Sequence, residues 1–520
     1  MPTEQARAAR DGGAVGALRM RVRRHGRRRM ALLGLTVLAG AGAGMFLAPR
    51  PAALGSATTG DTALAAQVRE AAGDGRGYRG LSVAVISRDG IRLAGLGDSG
   101  DRERTAVDES TVFEAGSLGK AMTGMLLSEL AARHTLRLDV PLERLLPDEP
   151  FSDPTLGEAT LMDLATHRAG VDLMPSSLDV LLRGAELRTL GMDPYRGITP
   201  DDVVTAGRQA SSSGTGRFRY SNLGMALAGQ TAARVTGKPY EELLRQHLLV
   251  PLGMSHTQTV RSESEIPPNS AVGHRANGAG MQHWLASGYT PAGDLWSTSG
   301  DLAGLMRAVM LGTAPGSGAA TPQFDAGAVG RIGLGWYTTR LQGRDITWHD
   351  GETGGFTSYM GFDRSSGKGV VVLSNTDQPV DAIGQHLLGL MPERSYPTHD
   401  ATPILLTVLC CAGAACPVFY VARRRFPRRV HRVHSVLSVA FGVALLGLAR
   451  RIGDWVSVPP WLWAVGGVLL AVGCWWAVLR LPPADGARKD PPPLKAALLG
   501  ARYAAGLLSL FLLVIAAELS

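Results

Sequence analysis

Cysteine, lysine and long apolar runs are all scarce in the central part of this 520-residue sequence, and each shortage narrows what the chain can be. Residues 60 to 395 contain no Cys, so a disulfide framework is excluded there. The four cysteines, Cys410, Cys411, Cys416 and Cys474, lie in apolar runs, where a thiol serves as a small packing residue rather than a bridge or metal ligand. Scattered histidines such as His167 and His274 show no ligand spacing, so neither a metal nor a cofactor is expected. Positive charge is also confined. Nine Arg crowd residues 1–29 against Glu4 and Asp11, and six Arg with no acid fill residues 423–432. Together these exceed the net +8 of the whole chain, so the remainder is net acidic and no nucleic-acid partner is expected.

Apolar runs occur only at the two ends. Met30 to Ala48 follows Arg27-Arg28-Arg29 and reads as a membrane anchor or signal peptide. Four further runs of about spanning length cover roughly 402–422, 434–449, 459–479 and 497–517, so membrane lipid is an expected partner. None carries a central acid or base, which speaks against a channel or transporter. The cationic connection RRRFPRRVHR belongs in the cytoplasm by the positive-inside rule. The sequence then divides into a basic cytoplasmic N-terminus (1–29), a span (30–48), a Pro- and small-residue-rich linker (49–62), an extracytoplasmic domain (63–392) and about four spans (402–517). Residues 392–400 read as a second linker.

Within the domain, residues 80–97 alternate apolar and polar on both sides of Asp89-Gly90, a hairpin signal. Apolar residues then recur at helical spacing from Ser117 to about Arg133, and helical or irregular sequence continues to about residue 310. Extended sequence returns in RIGLGWYTTR, GRDITWHDG, FTSYMGFD and GVVVLSN, and a helix-like stretch follows near 380–390. Strands at both ends with helices between imply an α+β domain: one antiparallel sheet built from both ends, with an inserted helical region and a cleft between them.

Three patterns carry chemistry. In FEAGSLGKAM, Ser117 and Lys120 are three apart on a helix, so the amine can reach the hydroxyl. A serine alcohol needs a base, and a buried lysine can be one where an arginine cannot. Only five of the 53 basic residues are lysines, which makes Lys120 conspicuous. The pattern alone is weak: Ser365 and Lys368 match it too, in the polar turn FDRSSGKG. Ser117 differs in opening a helix, where backbone amides can hold an oxyanion. In RYSNLGMALAG, Tyr220 and Asn222 would point the same way if extended; an ordinary helix start capped by Ser221 or Asn222 explains the same letters. In WHDGETGGF, His349 and Gly351 lead to a predicted strand, and Gly351 would allow close approach of substrate backbone on an edge; a Gly-rich turn with a surface histidine is the plainer alternative.

The order S-x-x-K, Y-x-N, H-x-G over residues 65–390, with LATHRAGVD, PLGMSHT, PAGDLWSTSGDLAGLM and IGLGW, resembles the serine β-lactamases and penicillin-binding peptidases, most closely the class C and esterase branch. That resemblance implies a β-lactamase/transpeptidase-like fold and an acyl-enzyme on Ser117. It implies proton transfer shared by Lys120 and Tyr220, orientation by Asn222, and an oxyanion hole from the amides of Ser117 and Glu352. The implied substrate is a small-molecule or peptidoglycan-like ester or amide. One departure matters: lactam-recognising members usually begin the third motif with Lys, and here His349, largely neutral at pH 7, replaces that cation. Esterase-, lactamase- and D-amino-acid-peptidase-like activities all stay open. An α/β-hydrolase reading of A-x-S-x-G around Ser117 conflicts with the helical middle. A silent sensor of cell-wall fragments, signalling through the spans, would have no need of Ser117, Lys120 and Tyr220 together.

Overall fold

The computed structural model describes residues 31, 34, 35, 37–42, 44–285, 287–391 and 401–481. The chain divides into two compact units, one running from Pro51 to Thr398 and one made of the two ends. The first is α+β. Its strands are β1 (Thr58–Gly60), β2 (Gly80–Ser87), β3 (Gly90–Gly97), β4 (Phe113–Glu114), β5 (Gln258–Thr259), β6 (Leu295–Ser297), β7 (Phe324–Asp325), β8 (Arg331–Ile332), β9 (Tyr337–Leu341), β10 (Arg344–Glu352), β11 (Thr357–Asp363) and β12 (Lys368–Ser374). The helices that matter for the site are α1 (Thr62–Ala71), α2 (Leu118–Ala132), α3 (Leu178–Leu190), α4 (Asn222–Thr236), α5 (Ser299–Leu311) and α6 (Asp381–Leu387).

Nine strands form one antiparallel sheet in the order β1-β3-β2-β12-β11-β10-β9-β8-β7. The expected hairpin turns through Arg88 and Asp89, with Ser87 opposite Gly90. β2 then pairs with β12, from Ile86 opposite Gly369 to Leu81 opposite Ser374, which closes the two ends of the unit into one sheet. β4, β6 and β5 form a separate small sheet within the inserted region.

The alternation along the strands explains how both faces are covered. Ala84, Ile86, Val371, Leu373, Met360 and Phe362 face the large core that contains α2, α4 and α5. Leu81, Val83, Val85, Val370, Val372 and Tyr359 face the second core, with Leu64 and Val68 of α1 and Ile383 and Leu387 of α6. A sheet buried on both sides reads as a nearly unbroken apolar run, as GVVVLSN does.

The stretch read as a linker, 49–62, folds with this unit from Pro51 onward. Residues 58–60 pair with Ala94 to Leu96 at the sheet edge, Ala52 donates to Ala276 O, and Asp61 caps α1 by accepting from Leu64 N. Pro and small residues without periodicity here mark an edge strand and a cap, not free chain.

Among the described residues, the second unit contains three helices long and apolar enough to cross a membrane: Thr402–Arg423, Arg428–Ile452 and Trp461–Leu479. A shorter apolar helix runs over Val37–Leu47. The middle span is longer than the 434–449 run because Arg428 to Val433 continue the helix below its apolar core. The helices approach through small residues: a methyl on Gly442 would lie 2.3 Å from Ala414 O, and one on Gly473 would lie 2.4 Å from Val418. The 1–29 and 497–517 segments and the 392–400 linker lie outside the described residues.

Candidate active site

Ser117 sits where β4 turns into α2. The turn requires Gly116, at φ +54, and a methyl there would come 2.8 Å from Glu352 N. Ser117 is the N-cap of α2, yet its hydroxyl makes no capping bond. It bonds sideways instead. Lys120 Nζ donates to Ser117 Oγ at 2.8 Å and to Ala292 O at 2.6 Å, and Tyr220 OH donates to the same Oγ at 2.9 Å. The spacing of three within α2 puts the amine beside the alcohol, as the sequence implied.

Lys120 has no exposed surface, because α2 is packed on nearly every side. Burial disfavours its charged form and pushes the amine down to about 7, against the opposing pull of Asp350 and Asp294. Its Nζ also lies 4.9 Å from the Tyr220 ring centroid. Desolvation raises the Tyr220 phenol, with the hydrogen bond to Ser117 opposing it, so the phenol holds its proton at neutral pH.

The second motif serves both of its readings at once. Ser221 caps α4, its Oγ accepting from Gly224 N at 2.8 Å, and the extended backbone at the cap aims its two neighbours at the site. Asn222 donates from Nδ2 to Tyr195 OH at 3.1 Å, while its Oδ1 has no partner among the described residues and the residue lines the pocket beside Ser117. His167 supports this turn. It holds φ +55, its Nδ1 accepts from Ser221 N at 3.2 Å, and its ring lies 4.7 Å from that of Tyr220. Burial, reinforced by Lys120, keeps it well below the usual imidazole range and therefore neutral.

The third motif lies on an interior strand that becomes an edge. β9 pairs with β10 only as far as Trp348, whereas β11 pairs with it to Glu352, so residues 349–352 present a free side to the Ser117 turn. A methyl on Gly351 would lie 2.4 Å from Ala115 O and from Ser358 Oγ, and 2.9 Å from Ser117 N. Gly351 thus lets β10 close on the Ser117 turn, an approach of the chain to itself rather than the substrate approach expected for it. Ser358 Oγ fastens the same turn by donating to Ala115 O at 2.7 Å. His349 is a buried residue, not a surface one, stacked 5.0 Å from Tyr337 with Nδ1 against Asp350 O at 2.5 Å. Burial pushes it down to about 4, so it is neutral, and it does not line the pocket. Glu352 does line it. Its side chain reaches solvent, but the protein packed around it, with Asp377 and Asp350, raises the carboxyl to about 7.

A small pocket of about 60 Å³ opens beside Ser117, lined also by Tyr195, Trp284, Tyr289, Ala292, Gly293 and Asp294. Sequence reasoning did not reach these six as pocket residues. Tyr195 comes from beyond α3 and the others from the irregular stretch before β6, so no spacing announces them. Trp284 packs edge-on to Tyr195 at 5.0 Å and Tyr289 lies 4.5 Å from Tyr195. Glu114, three residues before Ser117, holds the 283–284 segment: its Oε1 lies 2.7 Å from His283 Nδ1 and accepts from Trp284 N. The look-alike pair separates as expected. Ser365 Oγ donates to Asp363 in a turn, and Lys368 is exposed at the start of β12.

Residues 64–389 match the Beta-lactamase family. The putative penicillin-binding protein PbpX of Bacillus subtilis (strain 168) is 23% identical over 59% of this chain and 73% of its own. A beta-lactamase of Pseudomonas fluorescens is 25% identical over 58% and 89%, and the D-alanyl-D-alanine-carboxypeptidase/endopeptidase AmpH of Escherichia coli (strain K12) is 26% identical over 55% and 76%. Among solved structures, the octameric penicillin-binding protein homologue from Pyrococcus abyssi superposes with a TM-score of 0.55 at 24% identity, covering 66% of this chain and 80% of that one. A class C beta lactamase from Rhodobacter sphaeroides gives 0.53 at 21%, covering 63% and 98%. These likenesses establish the β-lactamase/transpeptidase-like fold.

Proposed function

The chain belongs to the beta-lactamase family of serine hydrolases, and from that premise we propose that it is a membrane-anchored acyl hydrolase that opens an ester or amide through an acyl-enzyme on Ser117. The observation that carries this reading is the convergence on one oxygen of a fully buried amine at 2.8 Å and a phenol at 2.9 Å.

In this mechanism Ser117 Oγ attacks the substrate carbonyl carbon while its proton passes to neutral Lys120. An amine brought to about 7 is half unprotonated at neutral pH and returns the proton readily. Tyr220, protonated throughout the physiological range, relays that proton to the leaving group as the carbon–leaving-group bond breaks. Water then attacks the acyl-enzyme, giving its proton to the same pair and restoring Ser117. The developing oxyanion is held by the amides of Ser117 and Glu352, at the helix start and strand end that Gly116 and Gly351 bring together. Asn222, which lines the pocket and whose buried Oδ1 has no partner among the described residues, orients the substrate's N–H or hydroxyl.

The third motif argues for an ester or amide without an essential carboxylate. A neutral, buried His349 offers no cation to a substrate anion. The catalytic unit lies outside the cell: the arginines of residues 423–432 face the cytoplasm, and the apolar segments on either side of the unit anchor it.

The test is intact mass of the full chain in detergent after exposure to a fluorophosphonate, an aryl ester and a penicillin. A stoichiometric adduct absent from Ser117→Ala is expected with the first two, and a weaker one or none with penicillin. A folded protein that forms no Ser117 adduct with any of the three would overturn the hydrolase reading.

A further inference from the structure

The acyl-hydrolase reading leaves the substrate's charge open, and the pocket beside Ser117 addresses it. Among the described residues, its acidic lining consists of Asp294 and Glu352, with no Lys or Arg. Asp294 is 4% exposed and acts electrostatically on Lys120, favouring the charged form of that amine. Two arginines that act electrostatically on Glu352, Arg188 and Arg275, do not line the pocket. Arg275 spends Nη2 on the carbonyls of Leu187 and Arg188.

The rest of the wall is aromatic. Tyr195, Trp284 and Tyr289 line one pocket with ring centroids 4.5 and 5.0 Å apart across Tyr195, and Tyr195 and Tyr289 are 7% and 3% exposed. Several aromatic rings with a buried carboxylate are what an alkylammonium group needs. The ring quadrupoles attract the cation, the rings accept its methyl or methylene surface, and the carboxylate balances its charge. A carboxylate-bearing substrate meets the opposite: a lining with Asp294 and Glu352, the latter's carboxyl raised to about 7, and with no Lys or Arg among the described lining residues. Lys120, which could repel an ammonium, does not line the pocket, and its amine is already half neutral at pH 7.

We infer that the pocket lined by Asp294, Tyr195, Trp284 and Tyr289 binds an alkylammonium group, so that the substrate is a small cationic ester or amide. This inference rests on the proposed role of Ser117, and the test separates the two.

The rate at which a neutral fluorophosphonate labels Ser117 is followed by intact mass on the full chain in detergent. In that reaction Ser117 Oγ bonds to phosphorus, fluoride leaves, and the proton passes to Lys120. Labelling is repeated in tetramethylammonium chloride, sodium chloride and sodium acetate at equal ionic strength. Saturable slowing of about fivefold or more by tetramethylammonium alone is expected, because the ion occupies the space beside the nucleophile. In Asp294→Asn the protection is expected to weaken about tenfold in concentration. Equal rates in all three salts, or protection by acetate instead, would overturn the inference while leaving Ser117 as nucleophile. Absence of labelling in any salt would instead count against the hydrolase reading itself. The wild-type comparison decides even if the variant does not fold.

Discussion

Ser117, Lys120 and Tyr220 are bound to one another by geometry, so single changes should remove the unit rather than one share of it. Ser117→Ala is expected to lower kcat for an aryl ester by about 10⁴-fold or more, with the protein still folded by circular dichroism. Lys120→Arg preserves charge but not the ability to lose it. It should therefore be nearly as inactive as the alanine variant, and a rate within tenfold of wild type would show that Lys120 is not the base. His167 is a positioning residue: it accepts from Ser221 N and packs on Tyr220 without touching Ser117. His167→Phe should lower kcat by about tenfold with KM little changed, because the turn is loosened rather than the pocket blocked. The pH profile should keep its midpoint in that variant, since a neutral His167 contributes no limb.

At the scale of elements, the close approach of β10 to the turn before α2 would set the geometry of the proposed oxyanion hole. Gly351→Ala places a methyl 2.4 Å from two oxygens, Ala115 O and Ser358 Oγ, so the strand must move away from Ser117. We expect kcat/KM for the aryl ester to fall by at least about 10²-fold and stability by about 1–3 kcal/mol, read as a lower Tm. Unchanged kinetics would mean that Glu352 N is not part of the site. The elements were legible in the sequence to different degrees. The 80–97 hairpin, the helix from Ser117 and the last three long strands announce themselves by local periodicity and Gly turns. That β10 outruns β9 after Trp348 could not be read, because register depends on partners distant in sequence. For the same reason the burial of His349, read as part of the substrate-orienting motif or else as a surface residue of a turn, could not be foreseen: the turn letters around it are polar, whereas Tyr337 and β11 bury it. Tyr195, Trp284 and Asp294 were invisible as a pocket because the loops that carry them have no period and meet only in three dimensions.

The whole molecule joins a hydrolase-like unit to a unit with three candidate spans among its described residues. The charge asymmetry of the sequence gives the orientation a direct check. With the four native cysteines replaced, a cysteine at exposed Glu103 should react with a membrane-impermeant maleimide in intact cells, and one at Arg425 should react only after lysis. The reverse pattern would place the catalytic unit in the cytoplasm. Apolar runs and arginine clusters were readable because a membrane imposes length and charge rules on sequence itself. The edge strand at 58–60 was hidden because a three-residue strand leaves too short a pattern.

The central claim, that a buried Lys120 amine activates Ser117, is tested most directly by the pH dependence of Ser117 phosphonylation in the full chain. Burial lowers the amine to about 7, and the neutral form is the base, so the labelling rate should rise with pH through a midpoint near 7 and level off above it. Lys120→Arg should label slowly at every pH in that range. A wild-type rate that is flat from pH 5 to 9, or an arginine variant that labels as fast as wild type, would contradict it.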